Sequence, residues 1–477
     1  VCQLDKGFLA ISGKRILGIE IGNEITGISN NIELPGSAQR ILYCQTTESL
    51  VVGATVDGRP AIVFLGKEAA ATDIISLKHL QSPRHTDRVL SLTQWWLNIS
   101  SDLSVKEEFI VSGTSSGGIF ILRQDHHLKN SKSKKSKATG FRIFIEQRFD
   151  HPIHALLQGG VNGEILFCCT GDSLHSMAIN INEETLISLA QYQLPSHAVS
   201  MTWDSQYLSV LTAKDSTMTL LYKDNGKFQL QYVDEDSRTG LDHMSFPLEG
   251  DTEPGSDSTV LLVSDKDCSV VGLHYQRNTS TGQTVPREYT TLFDAEMPAC
   301  ITKFRLAPTR HNWDTSQNET AVSGVIPWGK HREGVLGISI DGSIRRFTLV
   351  DESLLKLLGI LEHIAHQDPK ICPAYVQEYE EGGIVLPSDQ EDTRERHIDG
   401  DILKGWLTFR HLEEFLTKTT STKQESATTS AEALMSAVAL HWPDKSVGLQ
   451  DNEWLRTSVA MVYELLEQLL GPVDVVE

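Results

Sequence analysis

No Cys-x-x-Cys pair occurs in this chain, and its seven cysteines (Cys2, Cys44, Cys168, Cys169, Cys268, Cys300, Cys372) are scattered along it. That spacing excludes a dense disulfide framework and a zinc ribbon. The odd count suits a reducing compartment, with the thiols used as small apolar residues. No run approaches the roughly 18 apolar residues that a membrane helix requires. No signal peptide is visible. The first residue is Val1, so an N-terminal part outside this sequence is expected. Basic residues are also in short supply, with Lys and Arg numbering 42 against 63 Asp and Glu, a net charge of −21. An acidic surface repels a phosphate backbone, which argues against a general nucleic-acid coat protein.

Catalytic words are missing too. Gly113 to Gly118 lacks the Lys-Ser/Thr that ends a phosphate loop. Gly113-Thr-Ser-Ser-Gly117 has the Gly-x-Ser-x-Gly spacing but follows the logic of a β-hairpin rather than of a strand-to-helix elbow, and no nucleophile, base and oxyanion site assembles. The chain reads as a non-enzyme with no cofactor and no metal. The pairs His126-His127 and His363/His366 lack the Cys or acidic partners that would complete a metal site. The carboxylates at Glu107-Glu108, at Glu378 with Glu380-Glu381, and at Glu413-Glu414 read as solvated faces. Asn98-Ile99-Ser100 matches a glycosylation word but has no secretory context.

What is present is a long series of short apolar runs. They include Arg15–Ile21, Arg40–Val52, Phe109–Ser112, Gly118–Leu122, Gly163–Cys169, Leu208–Thr212, Thr217–Tyr222, Thr259–Val263, Val270–His274 and Gly334–Ile340. Asp57-Gly58, Asn162-Gly163, Asn225-Gly226 and Asp341-Gly342 punctuate them as turns. Regular short strands with few helices between them predict a sandwich, barrel or propeller. Length favours a propeller, because some 330 residues at about 45 per blade give about seven blades. Standard repeat signatures are absent. Trp203-Asp204 and Trp313-Asp314 are the only Trp-Asp dipeptides, and they do not recur at a blade period.

After Val350 the period changes to that of helices. Leu354, Leu355, Leu357, Leu358, Ile360, Leu361 and Ile364 share a face, and 400–419, 431–440 and 453–470 also read as helical. In the last of these Val459, Val462, Tyr463, Leu466 and Leu469 make the apolar stripe. Lys129 to Lys137 is a basic loop, and 417–430 is a Ser/Thr-rich one.

Four collinear passages carry a resemblance: Ile16 to Cys44, Glu107 to Gln124, Gly334 to Phe347, and His397 to Leu407, the last containing Ile398-Asp399-Gly400-Asp401. Together they resemble the C-terminal region shared by three large propeller scaffolds. These are the damaged-DNA-binding large subunit, the cleavage and polyadenylation factor large subunit, and a related splicing-factor subunit. The chain departs from the family at Thr212 to Leu221, where only Asp215 survives of a Gly-Asp-Leu-x-x-Ser word. That departure looks closer to the fungal ligase scaffold linked to methyl-methanesulfonate sensitivity.

The resemblance implies an all-β seven-bladed β-propeller followed by a small α-helical C-terminal domain. Residues 1–23 would be the tail of a preceding propeller, 24–350 the family's third propeller, and 351–477 the helical domain. It implies an adaptor of a cullin-type ubiquitin ligase in DNA repair or chromatin regulation, in the nucleus or also the cytoplasm, with DNA or RNA met indirectly through the complex, direct contact left open, and no membrane. Partners would be a cullin and exchangeable substrate receptors gripped at the propeller face, where Gln39, Arg40, Trp203 and Asp341 are the expected contacts. Trp203 has an alternative role as a blade-packing residue. The rival reading is a scaffold of mRNA 3′-end processing or splicing, which shares the fold.

Overall fold

A computed structural model describes residues 2–475 apart from 5–6, 13–14, 21–28, 67–70, 78–86, 99–105, 125–139, 216, 224, 249–257, 277–284, 312–332, 349, 351, 374–395, 421–429, 443–450 and 471–472. The Lys129–Lys137 loop, His126-His127, Trp313-Asp314 and the 23/24 boundary lie outside the described residues.

The molecule is mostly β-sheet in a propeller arrangement, with a few helices at its C-terminal end. The first blade holds β5 (Ser37–Cys44), β6 (Ser49–Val56), β7 (Arg59–Leu65) and β8 (Ala71–Ser76). The second holds β9 (Val89–Asn98), β10 (Lys106–Thr114), β11 (Gly118–Gln124) and β12 (Phe141–Arg148). The third holds β13 (Ile153–Gly159), β14 (Ile165–Thr170), β15 (Ser173–Asn180) and β16 (Thr185–Gln193). The fourth holds β17 (Ala198–Asp204), β18 (Tyr207–Thr212), β19 (Thr217–Tyr222) and β20 (Phe228–Val233), with the short β24 (Arg287–Glu288) added in parallel. The fifth holds β21 (Gly240–Leu248), β22 (Ser258–Asp265), β23 (Ser269–Gln276) and β25 (Thr290–Glu296). The sixth holds β26 (Ile301–His311), β27 (Glu333–Ser339) and β28 (Ile344–Phe347). A further sheet of β1 (Cys2–Leu4), β2 (Gly7–Ser12), β3 (Arg15–Glu20) and β4 (Ser29–Glu33) lies against β5.

The expected count of seven blades is thus corrected to six. Dividing length by a standard blade assumed tight connections throughout. These blades instead average about fifty residues over 37–347.

Side chains on a strand point alternately to its two faces. Here both faces are buried, so the strands are continuous apolar runs rather than alternating ones. In β14, Phe167 and Cys169 join the core between the third and fourth blades, while Leu166 and Cys168 join the core between the second and third. The same split occurs in β11, where Ile119 and Ile121 face the third blade while Phe120 and Leu122 face the first. In β22, Val260 and Leu262 face the sixth blade while Leu261 and Val263 face the fourth. Each blade is thereby shared between two cores.

The turns follow their dipeptides. Asp57 and Gly58 both have positive φ (49° and 74°), the requirement of a tight hairpin whose twist matches its strands. The run Arg40–Val52, expected as one strand, is two, broken at 45–48 by a turn in which Glu48 has φ 47°.

Among the described residues five helices follow: α1 (Glu352–His366), α2 (Gly400–Phe409), α3 (Leu412–Thr420), α4 (Ser430–His441) and α5 (Asp451–Leu470). Leu354, Leu357, Leu358, Leu361 and Ile364 of α1 are buried together with Trp406, Leu434, Val462 and Leu466. The helical region expected over 400–419 divides at Arg410, whose left-handed backbone (φ 50°) ends α2 by donating to the Trp406 carbonyl at 2.9 Å. The final strand β29 (Val473–Val475) returns to pair with Thr309–His311 of β26.

Candidate partner-binding rim

The innermost strands are β5, β9, β13, β17, β21 and β26, each lying against the next. Each carries a β-bulge near its start. The register skips Gln39, Leu90, His154, Val199, Leu241 and Thr302, one residue per blade. A bulge adds a residue that opposes none on the partner strand, which bends the strand and re-aims a side chain. Six bulges at equivalent positions make a ring at one end of the propeller. The second hairpin turn of each blade lies at that same end, since Ser37 pairs with Thr55 beside the Asp57-Gly58 turn and Ile301 with Ser339 beside Asp341-Gly342.

In the second, fourth and fifth blades the residue just after the bulge bonds sideways to the next blade. Ser91 Oγ donates to the Ile153 carbonyl of the third blade at 3.0 Å. Ser200 Oγ donates to Asp242 Oδ1 of the fifth at 2.9 Å. Asp242 accepts Lys303 Nζ at 2.5 Å and the Phe304 N–H at 2.8 Å, both from the sixth. Asp242 is 2% exposed, so its hydrogen-bond partners come from the protein. Beside it His243 bonds Thr202 of the fourth blade at 3.1 Å. Burial pushes the His243 imidazole down to about 4, with Asp242 opposing and Lys303 adding to the shift.

The rim itself is mixed in character. His154 stacks on His197 with ring centroids 4.0 Å apart. Burial first, and then His197, hold His154 near 4, while Asp172 works in the other direction. Val199 is 37% exposed and Ile340, next to the Asp341 turn, is 74% exposed. Asp87 fixes the Ser115–Gly117 turn of the second blade by accepting from Ser115 Oγ (2.8 Å), the Ser116 N–H (2.9 Å) and Ser116 Oγ (2.6 Å). No protein-family model matches this chain, and no curated protein does.

Of the four residues expected at a partner surface, three lie at this end. Gln39 is a member of the bulge ring, half-buried, with its Nε2 donating to Thr55 Oγ1 at 3.1 Å. Arg40 is exposed, and its guanidinium donates to the Gln39 carbonyl at 2.9 Å. Asp341 is exposed in its turn, and the Ser343 N–H donated to it at 2.9 Å holds its carboxyl below the usual range. Trp203 pairs with Leu208 next to the first hairpin of its blade, so it lies toward the opposite end. It packs against Phe167 (centroids 5.1 Å) and Tyr222 (6.3 Å) in the core between the third and fourth blades.

Sequence reasoning missed Leu90, His154, Val199, Leu241 and Thr302. No shared residue type marks the position. The one available signal is a polar residue just inside an apolar strand, as at Ser91, Ser200, Asp242 and Lys303.

A second cluster lies where the helices meet the last blade, within the Ile398–Asp401 word. Asp399 caps α2 by accepting the Asp401 N–H at 2.8 Å, and its own N–H donates to Glu362 of α1 at 2.8 Å. Burial raises the Glu362 carboxyl to about 7. Asp401 bonds Arg345 of β28 at 3.3 Å, and Arg346 donates to the Leu469 carbonyl. His363 bonds Gln367 at 3.0 Å. Among the described residues no group of three or more His, Cys, Asp or Glu is placed to hold a metal, and no helix is long and apolar enough to cross a membrane.

Proposed function

We propose that this chain is a non-enzymatic scaffold that holds partner proteins on the bulge rim of its propeller, as the adaptor of a cullin-type ubiquitin ligase in the nucleus. The observation that carries the scaffold reading is the ring of six bulges. It presents one non-core side chain per blade at a single end, on a base tied together by blade-to-blade hydrogen bonds. A rigid base with varied polar and apolar tips suits partner recognition, because binding then costs little ordering. The ligase part of the reading is supported by the four collinear passages. One of them, Ile398–Asp401, caps α2 and meets β28.

The receptor would lay a helical segment over exposed apolar residues such as Val199 and Ile340, with Arg40 and Asp341 setting charge preference. The cullin would bind a propeller outside this sequence. The test is affinity capture of the full-length protein from its own cells, wild type beside a rim variant carrying Arg40→Glu and Val199→Asp. A cullin recovered with several receptors, with the receptors lost and the cullin kept in the variant, supports the reading. Recovery of polyadenylation or splicing factors without a cullin overturns the ligase assignment in favour of RNA processing.

A further inference from the structure

Two thiols meet at the boundary of the fifth and sixth blades. Cys268 lies in the turn between β22 and β23 with a left-handed backbone (φ 63°), and Cys300 immediately precedes β26. Their sulfurs are 2.7 Å apart, and Cys300 Sγ also reaches the Lys266 carbonyl at 3.3 Å. Both are half-buried, whereas Cys44, Cys168, Cys169 and Cys372 are buried.

The turn that carries Cys268 is held in place. Asp265 accepts the Asp267 N–H at 3.0 Å, the Ser269 N–H at 2.9 Å and Ser269 Oγ at 2.7 Å. On the other side, the Ile340 N–H donates to the Cys300 carbonyl at 2.9 Å, which fixes Cys300 to the last hairpin of the sixth blade. Two anchored thiols that already touch need little backbone movement to bond, and ready bridging depends on such geometry.

We infer that Cys268 and Cys300 are a thiol–disulfide modification site that closes on exposure to glutathione disulfide. One thiolate attacks a sulfur of the oxidant and expels glutathione thiolate, leaving a mixed disulfide. The other thiolate then attacks the protein sulfur of that mixed disulfide and expels the second glutathione. One protein disulfide forms, one molecule of glutathione disulfide is reduced, and the two thiol protons pass to the two glutathiones released. The product joins two neighbouring blades covalently at the rim end, beside Ile340 and Asp341.

The test uses the full chain, incubated with glutathione disulfide, alkylated with N-ethylmaleimide and mapped by peptide mass spectrometry. The expected result is joint loss of alkylation at Cys268 and Cys300, with one cross-linked species two hydrogens lighter than the paired free peptides. Dithiothreitol should restore both thiols, and Cys300→Ser should abolish the species. The inference is overturned by glutathione retained on either thiol of the wild-type chain, by a bond from either to a different cysteine, or by no reaction at either. These results concern thiol chemistry alone and leave the capture experiment on the rim to be judged separately.

Discussion

Asp242 concentrates the electrostatics of the propeller. It is a buried carboxylate whose three partners, Ser200, Lys303 and the Phe304 N–H, come from the two neighbouring blades. Removing one member of a buried, hydrogen-bonded charge pair costs about 3–5 kcal/mol, because the abandoned partners stay desolvated. Asp242→Ala should therefore lower stability by that amount in a denaturant titration. Lys303→Ala should cost less, since Lys303 is about a third exposed and Asp242 would keep its other two donors. His243 gives a pH dependence with a definite sign. Its folded value, about 4, lies below the ordinary 6.5, so between those limits the unfolded chain binds the extra proton. The His243 contribution is fully present above about 6.5 and is lost as pH falls toward 4. Denaturation midpoints at pH 7.5 and 5 should show the drop, and His243→Asn should reduce it. None of this was legible in the sequence. Asp242 and His243 read as two more polar residues near a Gly, because their partners are 41 to 62 residues away.

At the scale of elements, the strands were largely legible because burial on both faces writes them as unbroken apolar runs, as in β14 and β22. The turns were legible where a Gly must adopt positive φ. Gly117 shows why the side chain must be absent. With φ 88°, a Cβ there would sit 2.2 Å from the Phe149 carbonyl oxygen. Gly117→Ala should cost at least about 1–2 kcal/mol from the backbone conformation alone. Faster amide exchange in β10 and β11 than in β22 would locate the loss. The turn at 45–48 was not legible, since Gln-Thr-Thr-Glu has no Gly, Pro or Asn to announce it. Bulges leave still less trace. The skipped residues are Gln, Leu, His, Val, Leu and Thr, and what unites them is register, a relation between two strands.

For the whole molecule, the sixth blade differs from the other five. Among the described residues it ends at its third strand, β28, where the others have a fourth on the outer side. An open sheet edge invites unwanted pairing, and covering it is a standard remedy. The helices are tied to this strand, through Arg345 to Asp401 and through Arg346 to the carbonyl end of α5, where a cation is favoured. Replacing both arginines by alanine should loosen that attachment. Hydrogen exchange should quicken in β28 and α5 while β22 keeps its protection. Quickening spread evenly over all blades would instead mean that the arginines support the propeller as a whole. Architecture was legible at this scale in its order, strands first and helices after, but the blade count was not, because the blades average about fifty residues over 37–347 rather than the about 45 of a standard blade.

The ring of bulges has one more consequence, for heritable change. Most residues on these strands answer to two neighbours at once, because each fills one of two shared cores, and a substitution there is tested by packing before it is tested by anything else. The six bulged residues stand outside that alternation. Drift or selection can rewrite them one at a time while the wheel beneath keeps its shape. A lineage carrying this chain can therefore rewrite that end of the propeller without having to find its fold again.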